Sequence, residues 1–241
     1  MAARLIVVMP AYNEAACIEE VCREWLSVLD SLPESRLLVI NDGSTDRTGE
    51  ILAELARIQP ALGVVHQANA GHGAAVLHGY RKALELGGAW VLQVDSDGQL
   101  DPRDLSRLWA CTGEARFLLG CRMARCDPWL RRALSAALRL LIRILFGVRL
   151  RDPNVPFRLM EARYLAELLA RLPEGVFAPN VLLAILAARR GADFREVPVS
   201  HRPRRAGPGS LRGLKFVRVL PRCLRELLAF WSKEVLHAGK T

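Results

Sequence analysis

The chain has 241 residues, 51% of them apolar, which supplies a sizeable core and argues against disorder. Its net charge of +9 is lodged in one half: residues 1–121 carry 10 Lys and Arg against 16 Asp and Glu, whereas residues 122–241 carry 24 against 9. With 7 Phe, 5 Trp and 3 Tyr in all, and no aromatics interleaved with the basic residues, a nucleic-acid-binding role is excluded.

The N-terminal MAARLIVVMPAYNE offers only about five apolar residues before Pro10, too few for a signal-peptide core. Five short apolar runs bounded by turn residues predict buried parallel strands: RLIVVMP, RLLVIND, GVVHQ, WVLQVD and RFLLGCR. Helical patterns lie between them, over residues 15–31, over 46–58 behind the cap candidates Ser44 and Thr45, and over 73–86. Asp101 as N-cap and Pro102 at the first helical position predict the next helix. This alternation implies right-handed βαβ crossovers and an open, doubly wound α/β sheet. Ligands bind beyond the carboxyl ends of strands in such sheets. Three of those ends carry polar stretches: PAYNE after the first strand, NDGSTD after the second and DSDGQ after the fourth.

Beyond residue 122, residues 127–150 predict a helix with Leu, Ile and Phe on much of its circumference and Arg132, Arg139 and Arg143 along one face. A helix-rich part over 163–190 precedes a strand candidate, FREVPVSH, and a flexible basic loop, RPRRAGPGS. The last element, residues 211–233, sets Leu214, Val217, Leu220, Leu224, Leu227 and Trp231 on one side and Arg212, Lys215, Arg218, Arg222 and Arg225 on roughly the other; Pro221 is expected to kink it. Two basic amphipathic helices fit peripheral binding to an anionic membrane face. The alternative is that their apolar stripes pack on the domain or on a second copy in a homodimer. The longest uncharged apolar run, GVFAPNVLLAILAA, contains a proline and falls short of the roughly 18 residues of a membrane span, so no transmembrane helix is expected. The six cysteines show no C-x-x-C pairing and the histidines no cluster, which disfavours a zinc site or disulfide framework and fits a reducing cytosol.

Asp95 and Asp97, followed by the amide of Gln99, are a hard oxygen set suited to Mg²⁺ or Mn²⁺ held jointly with substrate phosphates. Ordinary turn chemistry is the competing reading. NAGHGAAVLHGY lacks the lysine and hydroxyl of a phosphate-binding P-loop, and G-x-G-x-x-G is absent, so neither an NTPase nor a nicotinamide enzyme is supported. Gly71 and Gly73 are expected to permit a tight turn into the third helix. His72 either faces the site or lies on the surface.

Taken in order, VVMPAYNEAACIEEV, LLVINDGSTDRTGEIL, NAGHGAAVLHGYRKAL and WVLQVDSDGQLDP resemble the catalytic domain of glycosyltransferase family 2 over about residues 4–200. The nearest subgroup is that of dolichol-phosphate mannose synthases and bacterial polyprenyl-phosphate glycosyltransferases. The resemblance implies a GT-A fold, with a nucleotide-sugar-binding half over 1–121 and an acceptor half over 122–200, followed by the basic loop and amphipathic helix of 201–241. It also implies a GDP- or UDP-sugar donor, a divalent cation and inversion at the anomeric carbon.

Residue by residue, the resemblance makes Pro10, Tyr12, Glu14 and Asp42 contacts to the donor's base and ribose. Asp95, Asp97 and Gln99, with Ser96 between the carboxylates, match the aspartate-x-aspartate motif that holds metal and diphosphate. Arg122 ends GCR where the subgroup has GSR, and is a candidate phosphate contact. Arg131 and Ser135, four residues apart on one helix face, are implied to grip the acceptor phosphate. His201 and Arg202 resemble a segment that closes over donor and acceptor. Two departures are VPFRL, where Pro156 replaces the glycine of GFR, and the missing C-terminal transmembrane helices that many relatives carry.

A hydroxyl acceptor would need a general base, a role open to Asp152 unless it caps a turn or pairs with an arginine; a lipid phosphate is already anionic at neutral pH. The leading expectation is therefore a metal-dependent, inverting transferase acting on a polyprenyl phosphate at the cytoplasmic face of the membrane. Its competitors are a soluble transferase acting on a hydroxyl of a small molecule, glycan or protein, and a non-catalytic nucleotide-binding protein.

Overall fold

The computed structural model describes residues 4–123, 129–203 and 214–236, with the side chains of 129–131, 214–220 and 235–236 outside the description. Seven strands form one sheet in the order β3-β2-β1-β4-β6-β5-β7: β1 (Leu5–Ala11), β2 (Arg36–Asp42), β3 (Leu62–Gln67), β4 (Trp90–Val94), β5 (Phe117–Arg122), β6 (Phe157–Glu161) and β7 (Phe194–Val199). All five predicted apolar runs are strands, and FREVPVSH supplies β7. The unexpected element is β6, which lies antiparallel to both neighbours between β4 and β5. It was not legible as an apolar run, because its five residues include Arg158 and Glu161 and it enters the next helix without a turn.

The helices are α1 (Ile18–Leu29), α2 (Thr48–Ile58), α3 (His72–Glu85), α4 (Leu105–Trp109), α5 (Trp129–Phe146), α6 (Ala162–Leu169), α7 (Pro179–Arg189) and α8 (Leu214–Trp231). Strand β1 is buried at every position, as expected of a central parallel strand covered on both faces. Helix α3 lies so close to β1 and β2 that a Cβ on Gly79 would collide with Val8 and Ile40. The registers place Val8 beside Gln93 and Gln93 beside Arg158, so those residues share the face under α3. Phe157, one residue along, points to the opposite face and meets Trp25 of α1 with ring centroids 6.0 Å apart.

Asp101 is the expected cap: its side chain accepts from the Arg103 N–H, and Pro102 opens a 3₁₀ turn leading into α4. Ser44 and Thr45 do not cap α2. That helix starts at Thr48, whose N–H donates to Asp46 Oδ1 at 2.9 Å, and the Ser44 and Thr45 hydroxyls accept from Asn13 instead. Helix α7, the run that came nearest to a membrane span in sequence, is apolar all round because it is buried all round. Among the described residues no helix is long and apolar enough to cross a membrane.

Helix α8 continues through Pro221, so the expected kink does not end it. Of the predicted apolar side, Leu227 is buried, Trp231 is half-buried and Leu224 is exposed; outside that set, Phe230 is buried with its ring tilted 38° against Phe146 of α5 at 6.0 Å between centroids, and Leu228 is exposed. The side chains of Arg212, Leu214, Lys215, Val217, Arg218 and Leu220 lie outside the described residues. Glu226 fastens α8 to the start of α7 by accepting from the Phe177 and Ala178 N–H groups at 2.5 and 2.9 Å, where α7 has no cap of its own. Glu226→Ala should therefore destabilise the protein by about 1–3 kcal/mol in urea unfolding, since two part-buried backbone N–H groups lose a charged acceptor.

Candidate active site

Strands β2, β1 and β4 are neighbours in parallel, so their carboxyl ends bring NDGSTD, PAYNE and DSDGQ onto one edge. Asn13 joins the first two stretches. It sits at φ 54°, its Oδ1 accepts from the Thr45 N–H at 2.8 Å, and its own N–H donates to Ser44 Oγ at 3.0 Å. The Glu14 N–H donates to Thr48 Oγ1 at 2.9 Å, which makes the two loops one rim. On that rim Tyr12 is exposed, Glu14 is half-buried, and Pro10 is buried within β1.

Asp42 is buried and holds the next loop. Its Oδ1 accepts from Gln67 Nε2 at 2.7 Å and the Ala70 N–H at 2.9 Å, and its Oδ2 from the Gly71 N–H at 2.9 Å. Gly43 must be glycine, since it lies at φ 67° and a Cβ would come within 2.6 Å of the Asn69 nitrogen. Gly71, at φ 89°, gives the expected turn into α3. Gly73 serves a different end: it is already helical, and a Cβ there would overlap the Phe177 carbonyl, so glycine lets α3 begin against the start of α7. His72 sits at the site, with Nε2 3.8 Å from Asp95 Oδ1 and the ring half exposed.

Asp95 is 28% exposed and accepts from Gln93 Nε2 at 3.1 Å. Burial pushes its carboxyl up to about 6 and Asp97 adds to the rise, while His72, Arg158 and Arg122 pull the other way. Asp97 Oδ1 accepts from the Gln99 N–H at 3.1 Å. Ser96 between them is buried, its carbonyl accepting from the Cys17 thiol at 3.6 Å. The turn reading is present in the structure, since Asp97 closes a turn, and Asp97 also lies beside a second, partly exposed carboxylate. Among the described residues no three His, Cys, Asp or Glu side chains form a metal-holding group. Asp95 and Asp97 by chemistry are two hard oxygen donors of the kind that a divalent cation would share with substrate phosphates and water.

Basic groups stand at the same edge. Arg122, at the end of β5, makes a bidentate pair with Asp152 at 2.6 and 3.0 Å, with 15% and 4% of the side chains exposed. Asp152 is thus engaged with an arginine. Arg202 pairs with Asp101 and, at 3.5 Å, with Glu24, and its N–H donates to the Gln99 carbonyl at 2.7 Å. The side chain of Gln99 reaches the Arg202 carbonyl at 3.5 Å. Ser135 is half-buried on α5, and the side chain of Arg131 lies outside the described residues. Sequence reasoning missed Gln93, Arg158, Asn180 and Tyr80, a buried polar group directly beneath Asp95.

A family model described as Glycosyl transferase family 2 matches residues 6–165. The chain is 30% identical over 217 residues to an undecaprenyl-phosphate mannosyltransferase from Micrococcus luteus, covering 87% of this chain and 88% of that one. It is 30% identical over 219 residues to a polyprenol monophosphomannose synthase from Mycolicibacterium smegmatis, covering 87% and 82%. Among solved structures it is similar to glucosyl-3-phosphoglycerate synthase from Mycobacterium tuberculosis in complex with Mn²⁺ and UDP-glucose, with a TM-score of 0.68, 26% identity and 95% and 79% of the two chains covered. Mannosyl-3-phosphoglycerate synthase from Rubrobacter xylanophilus shares the fold, with a TM-score of 0.69 at 15% identity over 99% and 76%.

Proposed function

Because the chain belongs to glycosyl transferase family 2, we propose that it moves a sugar, with inversion, from a nucleotide-sugar donor to a polyprenyl phosphate at a membrane surface. The observation that carries this reading is one sheet edge that combines the Asp95 and Asp97 carboxylates with Arg122, which lies within electrostatic reach of Asp95. The acceptor class is that of the bacterial relatives named above, and the Mn²⁺ and UDP-glucose complex of the structural neighbour supports the donor side.

Asp95 and Asp97 would hold the divalent cation, with Gln99 beside them. When bound, that cation supplies Lewis-acid stabilisation of the charge developing on the leaving diphosphate. Tyr12 offers an exposed ring to the base, Pro10, Glu14 and Asp42 would complete the contacts to base and ribose, and Asp42 also fixes the loop that leads into α3. Arg122, Arg131 and Ser135 would align the acceptor phosphate, and Arg202 would close over it. An anionic phosphate nucleophile needs no general base. The engagement of Asp152 by Arg122 supports that reading over a hydroxyl acceptor. Protons compete with the cation for Asp95, whose raised carboxyl is protonated below about pH 6. Mn²⁺ affinity measured by calorimetry is therefore expected to fall as the pH drops from 7 to 5.

The membrane side of the proposal rests on α5 and α8. Helix α5 exposes Leu140 at 57% and Ile144 at 70% beside Arg143, and α8 exposes Leu224 and Leu228 beside Arg222 and Arg225. Apolar side chains at the acyl boundary with cations at the headgroups suit an anionic surface, at about 1 kcal/mol per cation. The protein should sediment with phosphatidylglycerol vesicles and less with phosphatidylcholine, and Leu140→Glu with Ile144→Glu should release it. Vesicle-independent pairing lost in the same variant would instead assign the stripe to a homodimer.

A further inference from the structure

Beneath the acidic site runs a chain of buried polar groups with a single consistent direction. Asp95 Oδ1 accepts from Gln93 Nε2 at 3.1 Å; Gln93 Oε1 accepts from Asn180 Nδ2 at 3.1 Å; Asn180 Oδ1 accepts from the Tyr80 hydroxyl at 3.3 Å. Gln93 and Tyr80 are fully buried, and Asn180 is 5% exposed. An ionised carboxylate can only accept, so Gln93 must turn its amide nitrogen to Asp95 and its oxygen to Asn180. Asn180 must then turn its nitrogen to Gln93 and its oxygen to the tyrosine, which donates. Each link fixes the next.

Arg158 anchors this chain. It is fully buried beside Gln93 in the β4–β6 register, and its guanidinium donates to the carbonyls of Asn180 at 2.6 Å, Val155 at 2.6 Å and Pro153 at 3.5 Å. Its Nε has no partner. These bonds are all to carbonyls; burial works against its cationic form, and Tyr80, Asp95 and Asp152 act the other way. A buried cation bonded only to neutral carbonyls is costly. Here it ties the start of α7 to the sheet, so that Asn180 and Gln93 are held at one height under Asp95.

We propose that Gln93 and Asn180, with Arg158 as their anchor and Tyr80 as their end-stop, are positioning residues that hold the Asp95 carboxylate in the orientation its cation needs. The proposal rests on the reading of Asp95 and Asp97 as the cation site. Partners behind a metal ligand orient it, and their loss costs about 10–100-fold in metal affinity.

The test is Mn²⁺ binding to the full chain without donor or acceptor, followed by calorimetry, with unfolding curves alongside. Gln93→Met keeps the volume and removes the donor to Asp95; it should weaken Mn²⁺ by about 10–100-fold while the protein remains folded. Asn180→Leu should act in the same direction, and the double variant should be no worse than Gln93→Met, since both cut one path. Tyr80→Phe removes a single hydroxyl and should cause a smaller loss of the same sign, which keeps the test alive if the larger changes unfold the chain. Asp97→Asn separates the two readings. If Asp97→Asn weakens Mn²⁺ but folded Gln93→Met and Tyr80→Phe leave it unchanged, the positioning role is overturned and the cation site stands. If no Mn²⁺ binding depends on Asp97, both fall.

Discussion

Asp97→Asn is expected to lower kcat by about 10²–10³-fold, the scale set by removing one stabilising contact to charge that builds in the transition state, while leaving the fold intact. The reason for an intact fold is local. Asn keeps a side-chain oxygen that can still accept from the Gln99 N–H, the bond that Asp97 makes in closing the turn after β4. What Asn lacks is the negative charge that holds a hard cation against the diphosphate. Nucleotide-sugar turnover in excess Mn²⁺, with circular dichroism as the control, checks both halves. Full activity in the variant would mean that the stretch is only a turn.

Arg122→Ala is expected to lose activity and also to cost about 3–5 kcal/mol of stability, because it takes the bidentate arginine away from the buried Asp152 carboxylate. The double variant Arg122→Ala with Asp152→Ala separates the two effects. Removing both charges should restore part of the stability, since the buried carboxylate that lost its bidentate partner is gone while Arg158 keeps its carbonyl bonds and the charge of Asp95, yet it should not restore transfer if Arg122 aligns the acceptor phosphate. Urea unfolding and initial rates on the same preparations distinguish the outcomes. Recovery of both together would reduce Arg122 to a structural partner of Asp152.

The strand ends that build the site were legible because buried parallel strands read as continuous apolar runs and topology alone aligns their carboxyl ends. The rim was less so. Asn13, Ser44 and Thr45 have the composition of ordinary turn and cap residues, and only the structure shows them hydrogen-bonding across two loops 31 and 32 residues apart in sequence. Strand β6 and the buried polar group beside it escaped for a different reason. Arg158 is a fully buried charged residue in a strand buried at all but its last position, and Gln93 is a single polar position within WVLQV; patterning treats both as exceptions, whereas Asn180, which joins them to Tyr80, comes from a helix 87 residues beyond Gln93. Gly73 illustrates the same limit, because close approach of the Phe177 carbonyl has no local signature.

The most direct test of the central claim is transfer of a labelled sugar from a panel of GDP- and UDP-sugars, in Mn²⁺, to either a polyprenyl phosphate or the matching dephosphorylated polyprenol. Product that forms with the phosphate and not with the alcohol is the predicted result. Transfer to the alcohol alone, or equally to both, would contradict it.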